Sequence, residues 1–337
     1  MIKNIGGGTI NICYVKQMDY LDEIISTKNQ KMPYFLKWLI YNYKKIAKIF
    51  TVKQVEDKKI VIIPINSTGK GIEKWIKYLC SVLYDSNLDT VVLSNSLKKV
   101  QGIKEQLNSE NIRVLEGTLL RENLTVKLVE YIANEMNEEV KNLEITVLVN
   151  QNKKIYIQSI LALAEVTKNI KIVTNNVDDF KNLEQKMQEL YGILIRVTNN
   201  KRKSLAKSSI IINLDFPEEL VNKFVINPDA IIVNISNQVK IKAKQFSGIN
   251  MHDMKLLIKK NYNREFEKNS VYNDFDAKEI YESSIVNMEF DEVQRKLVKD
   301  NVYINSLIGV NGPINKKEFE EKCEKYVKSL DKLSRLN

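Results

Sequence analysis

The sequence predicts an α/β protein built from two α/β units, the second a parallel sheet with crossover helices, with helical segments at the N- and C-terminal ends. Three observations carry this. First, five apolar β-type runs follow one another between Glu144 and Ser236: Ile145–Asn150, Ile170–Asn175, Ile193–Thr198, Ile210–Leu214 and Ala230–Ile235. Second, helix-period segments fill the first two gaps, at Ile155–Val166 and Asp179–Tyr191. Near-continuous Ile and Val runs alternating with helices are what a sheet covered on both faces requires. Third, a shorter series of the same kind precedes it over residues 58–140.

The elements follow in order. Residues 1–57 form an N-terminal element, with a strand at Thr9–Val15 and helices at Met18–Ser26 and Tyr34–Val52. Pro33 suits the first turn of the second helix, where its missing N–H costs nothing. That helix is rich in bulky apolar residues, among them Trp38, Leu39, Tyr41, Tyr43, Ile46 and Ile49. Core packing is the simpler reading of them, and a homodimer or partner surface the alternative.

The first α/β unit spans 58–140. Its strands are Ile60–Ile65, Thr90–Ser94 and Ile112–Leu115, and its helices Gly71–Tyr84, Leu97–Asn108 and Leu119–Met136. Glu135, Glu138, Glu139 and Lys141 suggest a solvated joint. The second unit spans 141–250. Asp178 or Asp179 is expected to cap its second helix and Gly192 to end it. Residues 251–337 are expected to be a mainly helical segment. Its helices are Met251–Tyr262, Phe290–Lys299 and a last one starting at Ile314, with a tight turn within Leu307–Ile314. Val239–Lys244 alternates like an exposed strand.

Composition narrows the function classes. No stretch of about 18 uncharged apolar residues exists, so no membrane span is expected. Cys13, Cys80 and Cys323 are scattered, an odd set that suits a reducing cytoplasm better than a disulfide framework. With His252 as the single histidine, a zinc site of Cys and His is not expected. His252 reads as a surface or helix-start residue. The net charge of +10 comes from lysines spread along the chain among 42 acidic residues. Lys, Asn and Ile are abundant, as expected of an AT-rich genome, and the whole chain resembles a protein of low-GC, clostridium-like bacteria. No nucleic-acid module is present, so a nucleic-acid partner is not expected.

Candidate ligand residues lie at strand ends. In a dinucleotide-binding crossover, glycines let the backbone approach a diphosphate at a helix N-terminus. Here the loop Asn150–Ile155 contains no glycine. Asn150, Asn152, Lys153 and Lys154 remain as residues able to touch an anion or, for the asparagines, to cap the helix. After the next strand, Asn175 and Asn176 stand where an acidic residue would bind a ribose diol. Asn213 and Asp215 end a further strand, and Pro217 starts a helix; those polar residues can hold a ligand or cap that helix. Asn66–Gly71 lacks the first glycine and the Mg²⁺-binding hydroxyl of a Walker loop, so NTP hydrolysis is not expected. Ser67, Thr68 and Lys70 could still contact an anion or substrate.

An α/β unit followed by a parallel-sheet unit resembles the shikimate dehydrogenase and glutamyl-tRNA reductase group of NAD(P)-dependent proteins. Ser209–Pro217 is similar to the family strand D-I-I-I-N-x-T-P, with Asn213 and Pro217 in matching places. Thr174–Val177 is similar to the family's N-R-T turn, with Asn176 in place of the arginine that would select NADP. The resemblance covers about residues 140–240. It implies a Rossmann-like second unit and NAD or NADP as the cofactor. Residues 58–140 show no match to the family's catalytic Lys/Asp pair.

The leading expectation is therefore a cytoplasmic Rossmann-like protein that binds a nucleotide or small anion, with weak or no hydride-transfer activity. The alternatives are an active NAD(P)-dependent oxidoreductase with an atypical phosphate loop, and a non-catalytic homodimeric interaction protein.

Overall fold

A computed structural model of the chain describes residues 12–17, 33–46, 51–55, 58–63, 72–85, 88–193, 195–242, 246–258, 274–315, 317 and 319–322. The expected helix Met18–Ser26, the loop holding Ser67, Thr68 and Lys70, and the last helix beyond residue 322 lie outside the described residues. Contacts divide the chain into two compact units, 1–117 with 263–288, and 118–262 with 289–337.

The first unit holds a sheet of order β2-β3-β1-β4-β5, made of β1 (Ile12–Gln17), β2 (Thr51–Val55), β3 (Lys58–Ile63), β4 (Thr90–Leu93) and β5 (Arg113–Val114). β1 runs parallel to β3 and β4, and β2 pairs antiparallel with β3. Its helices are α1 (Tyr34–Ile46), α2 (Ile72–Asp85), α3 (Asn95–Lys98) and α4 (Ile103–Ser109). Two helices differ from expectation. The one beginning at Tyr34 ends at Ile46, and β2 begins at Thr51. The single helix expected over Leu97–Asn108 is two, because Gly102 between them adopts φ 78°, a left-handed geometry that glycine enters without a Cβ clash. Core packing is not what is found for Trp38, Leu39 and Tyr43; Ile49 and the side chains of Tyr41 and Ile46 lie outside the described residues. Tyr34, Phe35, Leu36, Trp38, Leu39 and Tyr43 are exposed by 42–73%, with the Phe35 and Trp38 rings stacked 6.3 Å apart.

The second unit opens with α5 (Thr118–Asn123) and α6 (Thr125–Glu135), which replace the one long helix expected there. Its sheet contains β6 (Glu144–Leu148), β7 (Asn169–Val173), β8 (Ile195–Thr198), β9 (Ile210–Asn213), β10 (Ile231–Asn234) and β11 (Ile249–Leu257). The helices between them are α7 (Lys154–Val166), α8 (Val177–Tyr191), α9 (Lys201–Lys207) and α10 (Glu218–Val221). The chain then returns to the first unit for α11 (Ala277–Ser283) and comes back with α12 (Phe290–Lys299), β12 (Tyr303–Gly309) and β13 (Gly312–Pro313).

The sheet order is β13-β12-β11-β10-β9-β6-β7-β8. The six strands β6 to β11 pair in parallel, and β12 and β13 add antiparallel. Read in chain order, the parallel six are arranged 3-2-1-4-5-6, the doubly wound Rossmann order. All four residues of β9 and of β10 are buried, which explains their unbroken Ile/Val character. One apolar layer joins Leu148, Val173, Leu205, Ile211, Phe216 and Ile232. Burying each such side chain stabilises by roughly 1.5–3 kcal/mol.

The C-terminal third departs from the sequence reading at several places. Met251–Tyr262, expected as a helix, forms β11 as far as Leu257. Met251 and Met254 suit a helical spacing, but β10 leaves a row of backbone groups that a strand satisfies and a helix cannot. With that edge taken, residues 239–242 carry no strand, against the expectation for Val239–Lys244. His252 is buried within β11 rather than on the surface or at a helix start. The expected turn within Leu307–Ile314 joins β12 to β13.

Candidate functional site

In a doubly wound sheet the ligand edge is the carboxyl end of the strands where the order reverses, here between β6 and β9. β6 runs into the turn Val149–Lys153, and α7 begins at Lys154 with Lys153 as its N-cap residue. Neither Asn150 nor Asn152 caps the helix. The Asn150 side-chain oxygen accepts the N–H of Asn175 at 2.9 Å, and Asn176 donates its side-chain N–H to the Asn150 carbonyl at 3.0 Å. The three asparagines thus tie the turns after β6 and β7 together. The Asn152 side chain reaches only the Asp179 carbonyl, at 3.4 Å. With Asp179 it borders a cavity of about 350 Å³ between α7 and α8, floored by Ile157, Leu161 and Met187. The cap expected from Asp178 or Asp179 is absent: Asn176 is the N-cap of α8, and the Asp178 carboxylate pairs with Lys181 instead. Gly192 does end that helix, at φ 64°.

Asp215 decides the character of the first turn. One carboxylate oxygen accepts the Asn150 N–H and the other the Gln151 N–H, both at 2.7 Å. These are the backbone donors after the first strand, the place where a diphosphate oxygen would be received. Asp215 is 8% exposed. Burial pushes its carboxyl above the ordinary value, while the two N–H groups and nearby Lys153 act in the opposite direction. Asp215 therefore does not cap the helix after Pro217.

Asn213 is turned to structural use. Its side-chain oxygen accepts the Phe216 N–H at 2.8 Å, closing a local turn. Its N–H groups go to the Phe216 carbonyl and the Asn234 side chain. Asn234 passes on to Asn250, and Asn250 donates to the Val239 carbonyl. His252 Nε2 also lies 2.8 Å from that carbonyl. Such a buried amide chain satisfies its own polar groups and fixes the register of β9, β10 and β11.

A second group of side chains surrounds Lys153. Its Nζ lies 5.0 Å from the centre of the Tyr156 ring and 3.4 Å from the Tyr156 hydroxyl. That hydroxyl is 3.0 Å from Ser236 Oγ, and Ser236 donates to Glu122 Oε1 at 3.0 Å. Burial, the largest influence, raises the Tyr156 phenol above its ordinary value. Buried Arg121 donates to the Ile235 carbonyl at 2.9 Å, one residue before Ser236. Asn237 donates to the backbone carbonyl of Asp215 at 2.9 Å.

Tyr156, Ser236, Glu122 and Asn237 escaped the sequence reading. Two signals were present. Tyr156 follows Lys153 by three residues, one helical turn along, and Ser236 lies just past a strand end. Glu122 gave no signal, because α5 read as part of the first unit. Among the described residues no group of three or more His, Cys, Asp or Glu side chains could hold a metal ion. No helix among them is long and apolar enough to cross a membrane. Cys13 and Cys80 are buried.

No protein-family model matches the chain, and no curated protein matches it. Solved structures do overlap with it. An L-tryptophan dehydrogenase from Nostoc punctiforme is 12% identical over 70% of this chain and 65% of that one, with a TM-score of 0.30. The chain thus spans slightly less than two thirds of that protein's length. An ornithine carbamoyltransferase from Pyrococcus furiosus is 10% identical over 66% of this chain and 71% of that one, with a TM-score of 0.25. A shikimate dehydrogenase solved with NADP+ is 9% identical over 68% of this chain and 77% of that one, with a TM-score of 0.26. Overlaps this small carry no functional assignment. The strand order itself establishes the class: the chain is an α/β protein whose second unit is Rossmann-like.

Proposed function

We propose that this is a cytoplasmic Rossmann-like binding protein. Its second unit takes a nucleotide or small anionic ligand beside Lys153, with weak or no hydride-transfer activity. The observation that carries this reading is the Asp215 carboxylate on the Asn150 and Gln151 N–H groups. A dinucleotide diphosphate needs those donors, and the Asp215 side chain already occupies both of them. Lys153 is an exposed cation at this edge. Calorimetric titration with NAD, NADP and NADPH tests the proposal. The expected result is no tight saturable binding. Tight NADPH binding with turnover of a keto acid overturns it in favour of an active oxidoreductase.

A second reading rests on a different observation. The exposed aromatic face of α1 supports a homodimer formed through that helix. Light scattering at several concentrations decides it, since a strictly monomeric particle removes the proposal.

A further inference from the structure

We propose that Lys153, Tyr156, Ser236 and Glu122 form a proton-relay site for a small compound with an acidic hydroxyl group, a phenol or an enol. The inference deepens the reading above and rests on it, because it requires a small ligand at this edge.

The direction of the hydrogen-bond chain is fixed by its ends. An ammonium can only donate and a carboxylate can only accept. Ser236 donates to Glu122 at 3.0 Å, so its own oxygen is left to accept the Tyr156 proton, also at 3.0 Å. The Tyr156 oxygen is in turn left to accept from Lys153, at 3.4 Å. Every donor thus points from Lys153 towards Glu122. The Lys153 contact is the longest of the three, and Lys153 is the exposed member, so this is where a ligand hydroxyl can enter.

The transfer then balances without a further reactant. The ligand O–H bond breaks and its proton goes to the Tyr156 oxygen. Tyr156 passes its own proton to Ser236, and Ser236 passes its proton to Glu122, where a new O–H bond forms. The ligand is left as an anion directly against Lys153. Negative charge has moved from three hydrogen bonds away from that ammonium to direct contact with it. This attraction drives the shift, and it is strongest where water is scarce. Tyr156 itself is 1% exposed, and Ser236 and Glu122 are half-buried.

The full-length protein and para-nitrophenol, whose anion alone is coloured, provide the test. Calorimetry is run in two buffers of different ionisation enthalpy, at a pH where free ligand is mostly protonated, with colour followed in parallel. The wild type is expected to bind the ligand as its coloured anion and release no proton to the buffer, because Glu122 keeps it. Glu122→Gln should bind with release of one proton per ligand. Ser236→Ala, which breaks the middle link by a smaller change, should do the same. Lys153→Met should bind about tenfold more weakly. A wild type that releases the proton overturns the relay and leaves a plain anion site. Absence of saturable binding overturns the ligand class. Tight NADPH binding with turnover of a keto acid in the earlier titration sinks the underlying reading separately.

Discussion

Glu279 should make the first unit less stable as pH rises from the ordinary carboxylate range to about 7, and Glu279→Gln should remove that loss. The residue lies in α11, 4% exposed, with Lys98 Nζ 2.6 Å from a carboxylate oxygen. Lys98 approaches both oxygens closely, but Oε1 alone receives a well-directed hydrogen, and buried Oε2 lacks a hydrogen-bond donor. Burial outweighs the attraction of Lys98 and pushes the carboxyl from 4.5 up to about 7. Below the unfolded value, both states hold the proton and nothing is lost. Between that value and about 7, the unfolded chain gives up its proton while the folded one keeps it, so stability falls with pH. Above about 7 the loss is complete. A rise of roughly 2.5 units corresponds to about 3 kcal/mol. The glutamine variant keeps the shape without the titration. Its stability relative to wild type should therefore rise by about 3 kcal/mol across this interval and then level off. Urea unfolding at a series of pH values, read by tryptophan fluorescence, measures this. Both tryptophans, Trp38 and Trp75, belong to the first unit. A flat difference refutes the reasoning. A difference that falls with pH means that Lys98 outweighs burial.

Two further changes probe the second unit. Asp215→Ala leaves the Asn150 and Gln151 N–H groups without their acceptor and should cost about 1–3 kcal/mol by urea midpoint. Inorganic phosphate should then raise the melting temperature of the variant more than that of wild type; equal shifts contradict the internal-anion reading. Gly248→Ala would put a Cβ 2.1 Å from the Ala230 carbonyl oxygen and 2.9 Å from its nitrogen, both rigid backbone. β11 would have to move off β10, at a cost of about 3 kcal/mol or more, and a melt at the wild-type temperature would disprove the close approach.

The parallel core was legible because Ile and Val runs buried on both faces leave an unambiguous trace: the segments expected for β8, β9 and β10 each contain the observed strand, and those for β6 and β7 begin one residue inside it. Phe290–Lys299 was readable from its helical period alone and ends where expected. β11 was not, because the Met251–Met254 spacing suits a helix, and a register shift between Met251 and Asp253 in the strand paired with β10 overrides it. The break at Gly102 was foreseeable from residue type, whereas the break at Leu124 was not. At the candidate site, the sequence pointed to the turn after β6 and to Asp215. It could not show that the two meet, since residues 65 apart are brought together only by the pairing of β6 with β9. The role of Asn213 was hidden for the same reason. Its partners Asn234 and Asn250 come from neighbouring strands.

The return of the chain to the first unit constrains biosynthesis. Asn95 N–H meets the Asp274 carbonyl at 2.7 Å, and Gly117 N–H meets Glu282 at 2.6 Å, so this unit is stitched from segments more than 160 positions apart. A ribosome that has released residues 1–117 has not yet supplied α11. The early product must wait, with those partners missing, while the whole parallel sheet is synthesised. Expression truncated before residue 274 would therefore leave this first-made unit incomplete.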